Sequence, residues 1–276
     1  MQYQQQLEPQ KRIIRDAVHR VFQGFNIVKD FKYETYTILD VASGNICMKF
    51  EFTDHAFIKK HYGDLPHAPK YKDLTVLHIV VLSKCGANRG NALLALVDRL
   101  AESIPFVEYT ALTDYSNITK CNIPVALPKL KILTSETGES WYGRWGYKSP
   151  TTHYNDMAHN EQIRNQNMRD FLERVQPSVK SYAMNAFPDL NVDVMDVMTV
   201  HEYIKTISEQ IYSFPKETGC SEAQRQKIEA LLILIRALNV EYEHKLIKPN
   251  IIPRGGNKRT RVRSKNNTRT TLKRGK

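Results

Sequence analysis

Residues 75–82, Thr75-Val76-Leu77-His78-Ile79-Val80-Val81-Leu82, form an apolar run dense in β-branched side chains and without polar alternation. Such a run predicts a strand covered on both faces. It breaks into Ser83-Lys84-Cys85-Gly86-Ala87-Asn88-Arg89-Gly90-Asn91 and resumes at helical spacing, with Leu93, Leu96, Val97 and Leu100 on one face and Asp98, Arg99 and Glu102 turned away. The stretch therefore reads strand, loop, helix. Its loop holds two glycines and two asparagines, the residue types that reach left-handed backbone angles at least cost. A turn of this kind can aim several N–H groups, with the positive end of the following helix, at one point, which makes an anion site suited to a diphosphate. Many strand-loop-helix units with two glycines bind nothing, and this loop is neither a Walker loop nor a dinucleotide fingerprint.

The remaining periodicity divides the chain into a strand-rich and a helix-rich part. Upstream, Ile13, Ile14, Ala17, Val18 and Val21 predict an amphipathic helix over 8–22, with Gly24 as its stop. Residues 32–41 and 46–53 flank Ser43-Gly44-Asn45 and predict a hairpin. Residues 106–113 read as the next strand, reached by a right-handed crossover, and Asp114-Tyr115-Ser116-Asn117 as a turn. A short strand over 118–123 and a helical turn or two over 125–133 follow. Beyond 152 the stretches 161–175, 179–187, 200–214 and 221–247 all read helical, the last opened by the capping-box pair Ser221 and Gln224.

A second segment changes the weight of the loop: Gly138-Glu139-Ser140-Trp141-Tyr142-Gly143-Arg144-Trp145-Gly146-Tyr147-Lys148. Together the two stretches resemble the GNAT superfamily of N-acetyltransferases, over roughly residues 30–155. Leu112-Thr113-Asp114-Tyr115-Ser116 followed by Gly-x-Ser-Trp-Tyr is similar to a divergent branch of large DNA viruses and some protists. The resemblance implies an α/β (α+β) fold, a mixed central sheet flanked by helices. It implies acetyl-CoA as cosubstrate, with the diphosphate held by the backbone of Cys85, Gly86, Ala87, Asn88, Arg89, Gly90 and Asn91, and the pantetheine arm paired to Val80 and Leu82. Cys85 stands where the family has arginine and Asn88 where it has a middle glycine. Trp141, Tyr142, Gly146 and Tyr147 match the aromatic-Tyr, Gly-aromatic hallmark, on a helix entering a late strand. The strand from Gly146 would splay away from the cofactor strand; the family's last strand is either missing or replaced by the helical region.

Composition then sets limits. The chain has 276 residues and a formal charge of +11, but the ten cations between 254 and 276, with no carboxylate among them, account for all except one unit of it. The expected organisation is an acetyltransferase domain over 1–155, a helical subdomain over 156–250 and a disordered basic tail over 251–276. The tail reads either as a solvated end or as a contact for RNA or DNA phosphates. No stretch approaches the roughly 20 apolar residues of a membrane span. Cys47, Cys85, Cys121 and Cys220 lie far apart with no Cys-x-x-Cys pair, a pattern that predicts free thiols in a reducing, intracellular compartment. His55, His61 and His67 with Asp54 and Asp64 have spacings that suit an exposed loop better than a metal, so no metal site is assigned.

The expected chemistry is direct attack of an acceptor amine on the thioester, with Tyr142 protonating the departing thiolate. A base must also unload the amine. Glu108, Asp114 and His78 lie on or just after the central strands, spacing singles out none, and ordered water is equally open. The alternative function is an inactive GNAT-fold scaffold that works through its helical part and basic tail.

Overall fold

In the computed structural model, which describes residues 2–30, 34–63, 73–83, 85, 90–150, 154–190 and 192–250, the chain opens with helix α1 (Gln2–Val21). Its Ile14, Ala17, Val18 and Val21 are buried at helical spacing. Beyond its end Gly24 takes φ +88°, an angle side chains resist. Strands β1 (Asn26–Asp30), β2 (Thr35–Leu39) and β3 (Ile46–Thr53), helix α2 (His55–Tyr62), strand β4 (Val76–Leu82), helix α3 (Gly90–Ser103) and strand β5 (Tyr109–Thr113) follow. Then come the hairpin β6 (Asn117–Lys120) and β7 (Ile123–Ala126), and helices α4 (Leu127–Thr134), α5 (Tyr154–Asn165), α6 (Met168–Arg174), α7 (Pro177–Ala186), α8 (Val192–Met195), α9 (Val200–Tyr212) and α10 (Glu222–Ala237). A last strand, β8 (Lys245–Pro249), closes the described chain.

The six-stranded sheet runs β1-β2-β3-β4-β5-β8 and is antiparallel except for β4 beside β5. That parallel pair needs a crossover, which α3 supplies. Alternation along the strands sorts the two faces. Leu77, Ile79 and Leu112 join Leu93, Val97 and Leu100 of α3 and the apolar stripe of α1 in one core. Val76, Tyr109 and Ala111 meet Ile58 and Tyr62 of α2 on the other side.

A second core holds the helical part together with β7 and α4. Both capping boxes that open its long helices are formed, Thr199 with Glu202 on α9 and Ser221 with Gln224 on α10. Lys120 donates to the carbonyls of Tyr212 (2.5 Å) and Phe214 (2.7 Å), meeting the negative end of α9.

Five sequence expectations are corrected. The helical part is not a C-terminal appendage over 156–250, because 245–249 returns as β8 against β5 while residues from 121 to 133 already pack in the helical core. The helix expected over 221–247 stops at Ala237, where Asn239 turns left-handed at φ +50°. The stretch 118–123 is the start of a hairpin, turned at Cys121 and Asn122 with φ of +54° and +64°. The Trp-Tyr segment is a 3-10 turn (Gly143–Trp145), and the strand expected from Gly146 is, among the described residues, reduced to one bridge, Lys148 with Ile247. Finally the thiols are paired, Cys47 with Cys85 (Cα–Cα 4.8 Å) and Cys121 with Cys220 (Cα–Cα 5.6 Å), so the argument from free thiols to a reducing compartment no longer holds. Asp64, His67 and the tail over 251–276 lie outside the described residues. No described helix is long and apolar enough to cross a membrane.

The Cys121–Cys220 bond closes a loop 99 residues long, so its loss should cost about 2–5 kcal/mol. Cys121→Ser is expected to lower the denaturant midpoint of the helical part, and reducing agent to do the same to wild type. Identical midpoints with and without reductant would return these cysteines to free thiols.

Candidate functional site

The parallel pair does not stay together. Register between β4 and β5 runs from Val76 with Tyr109 to Ile79 with Leu112 and stops there. β4 continues beside β3 to Leu82, whereas β5 stays with β8 as far as Thr113 with Lys245. The register skip between Lys49 and Phe50 leaves Val80 as an extra residue on β4, a bulge, and bulges sharpen twist and bend a strand away from its neighbour. A gap therefore opens between Val80–Leu82 and the end of β5. Val80, at the bulge, is 45% exposed, unusual for an apolar residue of a central strand.

Of the residues expected to hold a cofactor, Val80 and Leu82 line this gap on β4. Cys85 is buried and bonded to Cys47. Gly86, Ala87, Asn88 and Arg89 lie outside the described residues. Gly90 is the first residue of α3, and Asn91 accepts the N–H of Ala92 at its side-chain oxygen (3.1 Å). A Cβ at Gly90 would stand 2.9 Å from the Trp141 ring. The glycine is thus required by the indole seated on the first turn of α3, and the two sequence motifs are in contact.

Tyr142 follows Trp141 into the core on the α3 side, with ring centroids 4.7 Å apart. Burial, with the Asp114 carboxylate second, pushes its phenol pKa upward, so it stays protonated at neutral pH. Asp114 is itself buried and fully engaged. Oδ1 accepts from the Ser116 amide (2.9 Å) and hydroxyl (2.6 Å), and Oδ2 from the Tyr242 hydroxyl (2.6 Å). Its backbone also exchanges bonds with His244. Asp114 pins the turn after β5 to the segment entering β8, and no carboxylate oxygen is left free of a donor to act as base. Glu108 precedes β5 at the opposite end of the strand, about 16 Å from the gap at strand rise.

Comparison with protein families, curated proteins and solved structures gives no match for this chain. The geometry stands alone.

That geometry singles out His78 among the three base candidates and adds two residues that sequence reasoning did not name. Glu51 on β3 is the direct cross-strand partner of His78. His78 Nδ1 lies 2.9 Å from Glu51 Oε1, the Tyr62 hydroxyl 2.9 Å from His78 Nε2, and the Thr113 hydroxyl 3.1 Å from the Tyr62 oxygen. The His78 hydrogen bond holds the Glu51 carboxyl below its usual range, outweighing burial. Its contribution to stability is therefore present at neutral pH and lost as pH falls through the carboxylate range. The only signal in the sequence was a lone histidine in an apolar strand.

Gly90→Ala is expected to cost about 1–3 kcal/mol through overpacking against Trp141 and to shift tryptophan emission. An unchanged denaturant midpoint and spectrum would remove the indole from the first turn of α3.

Proposed function

We propose that the chain is an N-acyltransferase that moves acetyl from acetyl-CoA to an amine, in a fold resembling the GNAT superfamily. One observation carries this reading: β4 and β5 part after Ile79 and Leu112, directly ahead of the loop and the N-terminus of α3. A linear pantetheine arm can enter such a gap as a short strand, using backbone groups of Val80 and Leu82, while its diphosphate meets the amides of residues 85–91. The thioester then lies beside the end of β5. The amine attacks its carbonyl carbon, the C–N bond forms, the C–S bond breaks, and Tyr142 stands on the α3 side to give a proton or hydrogen bond to the departing sulfur. Catalysis is chiefly positioning.

A scaffold reading is favoured by one feature, the Trp141 ring over the first turn of α3. Calorimetric titration with acetyl-CoA separates the two. Micromolar binding is expected for the enzyme; no heat at submillimolar ligand supports the scaffold. In the enzyme, Tyr142→Phe should keep acetyl-CoA affinity and slow transfer about 10–100-fold. Unchanged turnover with intact binding would take Tyr142 out of the reaction.

Residues 254–276 are proposed as a sequence-blind contact for nucleic-acid phosphates, on their ten cations without a carboxylate. Affinity for generic DNA should fall with salt with a log–log slope of about −0.9 per phosphate neutralised. Deleting the chain from Arg254 onward should abolish it, and a tailless protein with the same affinity would rule this out.

A further inference from the structure

The hydrogen-bonded series from Glu51 to Thr113 is directional. A carboxylate can only accept, so the proton on the His78 ring sits on Nδ1 and the lone pair on Nε2 points at Tyr62. Tyr62 fills that lone pair with its own proton, which leaves the phenol oxygen free to take another. The Tyr62 and Thr113 hydroxyls form the open end, and Thr113 is the last residue of β5, where the gap begins. A histidine serving only the core needs its two nitrogens satisfied. It does not need a carboxylate behind it and a pair of hydroxyls delivered from α2 and β5 to the edge of a gap. The series also lies on the α2 face of the sheet, whereas Tyr142 lies on the α3 face. Among the described residues, the titratable groups around His78 are Glu51 and Lys49 from β3, Tyr62 and His61 from α2, and Tyr115 after β5, with His61 reaching it through Phe57.

We infer that Tyr62 and His78 form the path that removes the proton from the acceptor's ammonium group, with Glu51 positioning and balancing the imidazole. This rests on the acyltransferase reading and specifies how its acceptor is activated, and from which face. In the step, R–NH3+ gives one proton to the Tyr62 oxygen as the Tyr62 hydroxyl proton passes to His78 Nε2. The products are the neutral amine and an imidazolium facing the Glu51 carboxylate. The amine's lone pair then attacks the thioester. The C–N bond forms, the C–S bond breaks, the nitrogen loses its second extra proton to water, and the thiolate, hydrogen-bonded by the Tyr142 hydroxyl, takes a proton from water. The imidazolium returns its proton to solvent beside the partly exposed Glu51. The acceptor is thus an amine that arrives charged, a lysine side chain or a polyamine, since a weakly basic aromatic amine would not use the path.

The test measures acetyl-CoA affinity by calorimetry and transfer as a function of pH, with a lysine peptide, spermidine and an aniline as acceptors, in wild type, His78→Gln, Tyr62→Phe and Glu51→Gln. Wild type should transfer to the two charged amines with a rate that rises with pH to a plateau. His78→Gln and Tyr62→Phe should bind acetyl-CoA within twofold of wild type, lose about 100-fold in kcat/KM and lose the plateau, so that the rate climbs with the free-amine fraction. Glu51→Gln should displace the plateau and lower it less. Tyr62→Phe keeps the ring in its packing and carries the test if His78→Gln does not fold. A wild-type rate and pH profile in a variant that binds acetyl-CoA normally overturns the relay and leaves the acyltransferase reading standing. Failure of wild type to bind acetyl-CoA overturns both.

Discussion

The constraint on which the rest depends is that β4 must pair with β3 along its whole length and with β5 along only half of it. A parallel neighbour requires a crossover helix, and α3 can cross only if the chain leaves β4 at its C-terminal end and turns back over the sheet. The extra residue at Val80 keeps β4 against β3 while turning it from β5, and β8 holds β5 from the other side. A strand end opened this way would normally be a site for unwanted pairing. Here the opening is backed by cores on both faces.

The helical insertion bears on the same place. Arg164 of α5 reaches back to the carbonyls of Ser135 and Glu136, Lys205 of α9 holds the Glu136 carboxylate at 2.8 Å, and the Ser135 hydroxyl donates to the carbonyl of Glu139. These bonds fix the approach to Ser140, Trp141 and Tyr142 from one side. From the other, Lys248 on β8 meets Asp98 of α3 at 2.7 Å and covers the Tyr147 ring. Gly146, at φ +85°, makes the reversal between the two. The aromatic turn is therefore clamped between the insertion and the sheet, which explains a short 3-10 turn where a helix was expected: both ends are already fixed.

Legibility followed the range of the interaction. The strand Val76–Leu82 and the helix Gly90–Ser103 were readable because local periodicity and tertiary burial agree there, and α10 was readable at its start because Ser221 and Gln224 cap it within one turn. Its end was not. The residues after Asn239 keep an apolar content compatible with a helix, and what stops them is distant: Tyr242 and His244 bind Asp114, more than a hundred residues away, and draw the chain into β8. The hairpin turn at Cys121 and Asn122 was hidden for a similar reason, since a cysteine at positive φ is no turn signal until its bond to Cys220 is known. Among site residues, Tyr142 and Gly90 were visible through motif, whereas Glu51 and Tyr62 became visible only with the β3–β4 register and the seat of α2.

The same register decides which carboxylate can serve chemistry. Asp114 looked suited because it follows β5 immediately, yet each of its oxygens already holds a donor, and taking up a proton would break the Tyr242 bond that anchors β8. Its burial is structural work, and its charge adds to the burial that raises the pKa of the Tyr142 phenol. Glu51 is the converse: partly exposed, facing a histidine, and joined to the gap through two hydroxyl groups. In the proposed reaction, acid and base then sit on opposite faces of one sheet, with the reacting thioester between them. In that reaction the proton leaves the acceptor on one side of the thioester and the departing thiol is met by the phenol on the other.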